Sequence, residues 1–405
     1  MNQSRQTHLD SLRGIAALIV VVDHHLAAFY PYTIFGPQGT YQQHTIWEDL
    51  VFYPPFGLAG AGPFAVCLFF ILSGYVLSYS HLGELHRRKK ITASIIKRPI
   101  RLGGLVWFTI ICGSLLWYYG LFFNGVAAEL TGSKPWFNNY WAGDFDFCRF
   151  LINLTTSAFN KGKIYNPPLW TIKIELYGSL LVYLFLWLFG KSKYRMAVAI
   201  FLIILSRYSL YQGFWIGLLI ADIIKKQSAD NPFKLPEVYK YLLLMLFVYL
   251  SSYPNYVSHK FLDSTIYSFL PDDKDFGGGY SMLAALAVFL LAVTNNQFKK
   301  CLNLPFLRFL GGISYGLYAI HFLIIGSFSS WLFLTLSEFF NFNVSFILVL
   351  LTGLPLIIFA AYLSTKWIDN PSIRIADYIG GKVVMVITSL RFKEFEIRIK
   401  NSFRL

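Results

Sequence analysis

Apolar residues gather in ten stretches, near 12–31, 56–80, 102–123, 168–190, 195–210, 211–225, 240–254, 277–294, 308–331 and 345–366. Roughly 20 apolar residues cross the hydrocarbon of a bilayer as a helix, and most of these stretches are about that long. The fifth and sixth are shorter. They predict either a tight hairpin through Tyr208–Gly213 or tilted helices shielded by neighbours. The pattern as a whole predicts an all-α, polytopic transmembrane helix bundle of about ten spans.

Basic residues set the expected orientation. With the N-terminus on the cytoplasmic side, the inside segments hold 27 of the 35 Lys and Arg. That bias follows the positive-inside rule and places both termini in the cytoplasm. Outside lie 33–55 and 124–167, rich in Trp, Tyr, Asn and Gly, which cap the bundle, and the acidic loop 253–275 with Asp263, Asp272, Asp273 and Asp275. Two regions follow: a membrane-embedded domain over 1–371 and a basic cytoplasmic tail over 372–405. In the tail, FKEFEIRIKNSF alternates charged and apolar residues, as an amphipathic segment on an anionic leaflet does.

Composition agrees with this class. The 405 residues are 56% hydrophobic and 14% charged, against about 25% charged in soluble domains. The net charge of +14 could serve nucleic acid. Its placement between apolar spans points to membrane lipids instead, and no nucleic-acid motif accompanies it. Cys67, Cys112, Cys148 and Cys301 are too scattered for a metal site, a disulfide framework or a redox pair. No metal is expected. The first stretch is too long and too polar for a cleaved signal peptide and reads as an uncleaved anchor.

That first stretch, HLDSLRGIAALIVVVDHHLAAFYPY, carries Asp10, Arg13, Asp23, His24 and His25. Ionisable groups inside a span are costly and face the bundle interior or a water-filled path. Eleven steps of 100° bring His24 to within about 20° of Arg13, about 16 Å further along the helix. Asp23 and His25 point elsewhere. Two readings compete: Arg13 snorkels while His24 is a satisfied core histidine, or Arg13 holds an anion while His24 is a general base.

Other polar groups interrupt apolar runs. Arg87, Arg88, Lys89, Lys90, Lys97, Arg98 and Arg101 crowd the inner segment 81–101. They read as a lipid-binding patch or as a landing site for a polyanionic cofactor, with Arg98 and Arg101 on one side of a helical turn. Ser73-Gly74 allows close helix approach. In NPPLWTIKIELYGSLL, Trp170 suits an interface. Glu175 there either orients His24, binds acceptor hydroxyls, or pairs internally with Arg13 or Lys173. In GGISYGLYAIHF, the polar tips of Ser314, Tyr315, Tyr318 and His321 are explained by core hydrogen bonding or by a pocket wall.

The motifs occur together in an order that resembles the acyltransferase-3 family of integral-membrane acyltransferases. The resemblance rests on Arg13, ten residues and His24; on Phe69-Phe70-x-x-Ser73-Gly74; on Arg98-x-x-Arg101; and on Leu169-Trp170 with Glu175. The block Ser314-Tyr315-x-x-Tyr318-x-x-His321 and Asp369-x-Pro371 complete it. It runs from Leu9 to about Pro371. One departure is Asp23 beside His24, where an apolar or aromatic residue is usual.

The resemblance implies an enzyme of the bacterial inner membrane. Its donor would be acyl-CoA, with acetyl-CoA the commonest, and its acceptor a sugar hydroxyl of a glycan or lipid-linked glycan. It assigns catalysis to His24, Arg13 and Glu175, and cofactor binding to Arg98, Arg101 and Arg13. Trp170, Ser314, Tyr315, Tyr318 and His321 would line the substrate pocket. A homo-oligomer is left open. A transporter or flippase for a lipid-linked sugar or organic anion would use the same polar residues as a pathway, and a non-catalytic subunit would need none of them.

Overall fold

In a computed structural model, residues 6–37, 40–53, 55–83, 87–156, 158–227, 235–257, 259–271 and 279–385 are described, and they fold as an all-α bundle. Each predicted apolar stretch falls on a helix. These are α1 Thr7–Phe29, α2 Gly62–Tyr79, α3 Arg87–Tyr118, α4 Leu169–Phe189, α5 Arg195–Leu205, α6 Tyr211–Lys226, α7 Glu237–Ser251, α8 Gly279–Thr294, α9 Pro305–Ile324 and α10 Phe342–Ser364. Among the described residues, six are long and apolar enough to cross a membrane: α1, α2, α3, α4, α9 and α10. α8 and the following Asn296–Leu302, bent by 97°, add a seventh if taken together. The 11 residues of α5 rise only about 16 Å. α5 turns back into α6 as a hairpin, where Gln212 Nε2 donates to the Ile203 carbonyl at 3.1 Å.

Two boundaries differ from the sequence pattern. The segment 81–101 is not a loop throughout, because α3 starts at Arg87. Its amphipathic pattern buries Ile91 and Ala93 and carries the helix upstream of the apolar run. Pro99 inside it removes one backbone donor without ending the helix. The last helix runs from α10 through a π-helical turn at Thr365–Asp369 to Met385, past Pro371 without a break. The alternating FKEFEIRIKNSF segment and Asp272, Asp273 and Asp275 lie outside the described residues.

α1 and α9 lie side by side and parallel. Thr7 Oγ1 donates to Asn303 Oδ1 at 2.7 Å near one end. Next, the backbone of Gly14 packs on that of Gly311, and a Cβ on either residue would strike the other helix's main chain. Further along, His24 meets His321. Helices in a bilayer gain little from apolar contact with one another, so such small-residue seams supply the close packing. α2 and α6 make a similar seam. A Cβ on Gly74 would meet the Phe214 main chain, and one on Gly217 would meet that of Ile71 and Tyr75. Gly74 is therefore a packing residue.

The segments 33–55 and 124–167 contain short helices that close one end of the bundle. Thr131 Oγ1 donates to the Ala28 carbonyl at 2.8 Å, and the His44 ring nitrogen Nε2 meets the Thr131 carbonyl at 2.9 Å. These bonds tie both segments to the end of α1.

Candidate functional site

The parallel seam and the long α3 leave a cavity of about 790 Å³ between α1, α2, α3, α4, α9 and the end of the last helix. That is a size suited to a small-molecule ligand. Arg13, Arg98, Arg101, Glu175, Ser314 and Tyr315 all reach it, so α1, α3, α4 and α9 each bring sequence-predicted residues to one place.

The charges there are partly spent on each other. Arg98, 8% exposed, donates Nε to Ser179 Oγ at 2.8 Å and pairs with Glu175. Ser73 Oγ donates to the same Glu175 oxygen at 2.8 Å. Lys97 pairs with Asp377 at 2.9 Å. Arg13 stands 4.0 Å from Asp10, too far for a strong hydrogen bond. Arg101 is exposed within the cavity and makes no ion pair within 4.0 Å among the described residues. Arg13 and Arg101 are thus the cations with most donor capacity left for an anion. Tyr315 is anchored by its hydroxyl to the Leu102 carbonyl at 2.7 Å, and Ser314 Oγ donates to its own helix at Gly311.

His24 is not on this cavity wall. Its Nδ1 lies 2.9 Å from His321 Nε2, and the two rings are nearly parallel, with centroids 5.0 Å apart. The other ring nitrogen of His321, Nδ1, contacts the Leu317 carbonyl at 3.0 Å. Trp136, from the segment after α3, stacks over His24 at 5.8 Å, and Phe322 meets it edge-on. Tyr318 lines the cavity, accepts from Thr171 Oγ1 at 2.7 Å, and stands 5.9 Å from the His321 ring.

Several expectations change at this point. Glu175 does not orient His24; it is held by Arg98 and Ser73, because α3 rather than α1 faces it. Lys173, on another face of α4, is exposed. His321 is not a cavity-wall residue, since it is fully buried against His24. Trp170 packs partly buried against the apolar core and does not line the cavity, because the cavity side of α4 is formed by Thr171, Ile172, Glu175 and Tyr183. Asp23 does not approach His24. It turns to the start of α2, where its carboxylate accepts the Gly62 N–H at 3.1 Å, a favourable place for negative charge.

Some participants were not named from sequence. Ser179 sits four residues after Glu175, on the same helical face, so its position was available from spacing. His81 lines the cavity and meets Ser94 Oγ at 3.1 Å. Trp136 covers His24 from a distant segment. No spacing rule connects either pair.

The buried polar cavity, the embedded histidine pair and the membrane-length helices define a multi-pass membrane protein with a built internal site. The chain belongs to the acyltransferase-3 family: residues 7–366 match the family described as "Acyltransferase domain". Curated relatives are fungal. The O-acetyltransferase PaAT-1 of Phomopsis amygdali is 28% identical over 53% of this chain and 48% of its own length. Acyltransferase R4 of a Phoma species is 25% identical over 82% of this chain and 85% of its own. Acyltransferase clz18 of Cochliobolus lunatus is 25% identical over 66% and 69%. The chain thus spans about half the length of PaAT-1 and more of the other two. No solved structure matches. The chain is a multi-pass membrane protein of this acyltransferase family.

Proposed function

We propose that this acyltransferase moves an acyl group, acetyl above all, from acyl-CoA to a sugar hydroxyl of a surface or secreted glycan, free or lipid-linked. The observation that carries the proposal is the cavity on which Arg13, Arg98 and Arg101 converge, ending at Tyr318 beside the His24–His321 pair. Arg13 and Arg101 would bind donor phosphates, for which a guanidinium is well shaped. Arg98 would position Glu175 and Ser73. The name of the relative PaAT-1, an O-acetyltransferase, favours acetyl. The glycan acceptor and a bacterial cytoplasmic membrane come from the resemblance, and the basic-residue bias puts the arginine end of the cavity on the cytoplasmic face.

A hydroxyl is a poor nucleophile at neutral pH, so it needs a base. His24 Nε2 takes the hydroxyl proton as the oxygen attacks the thioester carbonyl. The C–O bond forms and the C–S bond breaks. The departing sulfur receives the proton from His24, leaving an ester and a free thiol. On this reading the acyl end reaches His24 past Tyr318, whose hydroxyl contacts Thr171.

The test is free thiol released from acetyl-CoA by the purified protein, with and without a glycan acceptor, for wild type and His24→Ala. Acceptor-dependent release that the variant loses supports the proposal. Full release by the variant removes His24 as the base. No release with any acyl-CoA and matched acceptor moves the transporter reading ahead.

A further inference from the structure

We infer that His321 is a positioning residue: it fixes His24 in the tautomer whose Nδ1 carries the proton, leaving the lone pair on Nε2. The inference rests on the proposed role of His24 as base and deepens it. It begins at a carbonyl. The Leu317 oxygen can only accept, so the His321 nitrogen 3.0 Å from it, Nδ1, must donate. In a neutral ring the other nitrogen of His321, Nε2, is then an acceptor. That acceptor faces His24 Nδ1 at 2.9 Å, so His24 Nδ1 donates and keeps its proton; the Val20 carbonyl one turn back also approaches the ring, but the bond of good geometry is the one to His321. The lone pair of His24 is left on Nε2. The reverse arrangement would set the His321 Nδ1 lone pair against the Leu317 oxygen inside a fully buried site.

The register that makes this chain is built into the helices. Leu317 and His321 are one turn apart on α9, so the carbonyl is supplied by the same helix that carries the ring. Gly14 and Gly311 fix the distance between α1 and α9, and the two histidines follow ten residues later on each. His25, the next residue, shows what position alone gives. Its Nδ1 contacts the Val21 carbonyl at 2.8 Å, but its Nε2 is buried and has no hydrogen-bond partner among the described residues. His24, by contrast, is partly exposed under Trp136. When His24 takes a proton during transfer, the new N–H forms at Nε2 and the bond to His321 is undisturbed. His321 therefore acts through His24 and needs no contact with substrate, as the third member of a nucleophile–base–orienter arrangement does.

The test uses the full chain in nanodiscs, labelled with nitrogen-15 at histidine, as wild type, His321→Leu, His321→Gln and His24→Ala. Gln offers an oxygen near the place of Nε2; Leu offers no acceptor. The wild-type spectrum should show His24 with a protonated Nδ1 and an unprotonated Nε2, and His321→Leu should lose that signature. Turnover in His321→Leu should fall at least 100-fold, with the KM for acetyl-CoA within twofold, and His321→Gln should recover at least tenfold of the loss. A wild-type His24 protonated at Nε2 overturns the inference, as does a His321→Leu variant with turnover within twofold of wild type. If His24→Ala is fully active, the base assignment fails, whereas the tautomer is still decided by the wild-type spectrum alone.

Discussion

Gly14 and Gly311 touch backbone to backbone across two parallel helices, and His24 and His321 stand hydrogen-bonded ten residues further along each. The seam is therefore the ruler for the histidine pair. A Cβ on Gly14 would meet the main chain of Gly311 and Leu310, neither of which can rotate away. Gly14→Val should force α1 and α9 apart. Overpacking of this kind costs about 1–3 kcal/mol, so the thermal midpoint in detergent should fall, and turnover should fall further than stability alone explains. A Gly14→Val protein with wild-type turnover would show that the spacing of α1 and α9 is not needed for the chemistry.

Glu175 and Arg98 form a nearly enclosed ion pair, with side chains 14% and 10% exposed. Removing one partner of such a pair costs about 3–5 kcal/mol, because the other charge is left unpaired. Glu175→Leu should therefore destabilise strongly, and Glu175→Leu with Arg98→Met should recover much of the loss. Unfolding of the single and double variants measures this directly. A double variant destabilised by the sum of the two single losses would mean that the two residues act independently.

Arg101 faces the cavity and makes no ion pair within 4.0 Å among the described residues. If it holds a donor phosphate, Arg101→Ala should leave the thermal midpoint nearly unchanged and weaken CoA binding. A charge-assisted hydrogen bond is worth about 1.5–3 kcal/mol, or roughly 10- to 150-fold in Kd. Calorimetric titration with CoA in nanodiscs reads the change. A Kd within twofold of wild type would remove Arg101 from the phosphate site.

Asp23 belongs to the start of α2, not to the imidazole beside it in sequence. Asp23→Asn keeps an oxygen for the Gly62 N–H and should retain activity within a few-fold. Asp23→Ala loses the contact and should cost about 0.5–2 kcal/mol of stability, as other lost caps do. Turnover per folded molecule should stay close to wild type in both. A collapse of turnover in Asp23→Asn, with the fold intact, would restore Asp23 to the catalytic group.

Trp136 stacks on His24 from a segment outside the long helices. Trp136→Ala should open His24 to water and raise thiol release without acceptor relative to release with it. The ratio of the two rates is the measurement, and an unchanged ratio would show that the indole does not shield the imidazole.

The sequence alone was enough for the helical class, for the place of every long helix and for most of the charged residues that reach the cavity. Membrane helices satisfy their backbone bonds within themselves, so apolar length reads out as structure without knowledge of neighbours. The helical period likewise put Arg13 and His24 on one stripe, and Arg98 beside Arg101. Partnership was not legible in this way. That Glu175 turns to Arg98, Asp23 to Gly62 and His321 to His24 depends on which helices are adjacent and at what height. Those heights are set by packing between residues nearly 300 positions apart, at Gly14 and Gly311 above all. A side chain's own helix fixes its direction; only the neighbouring helix decides what it meets.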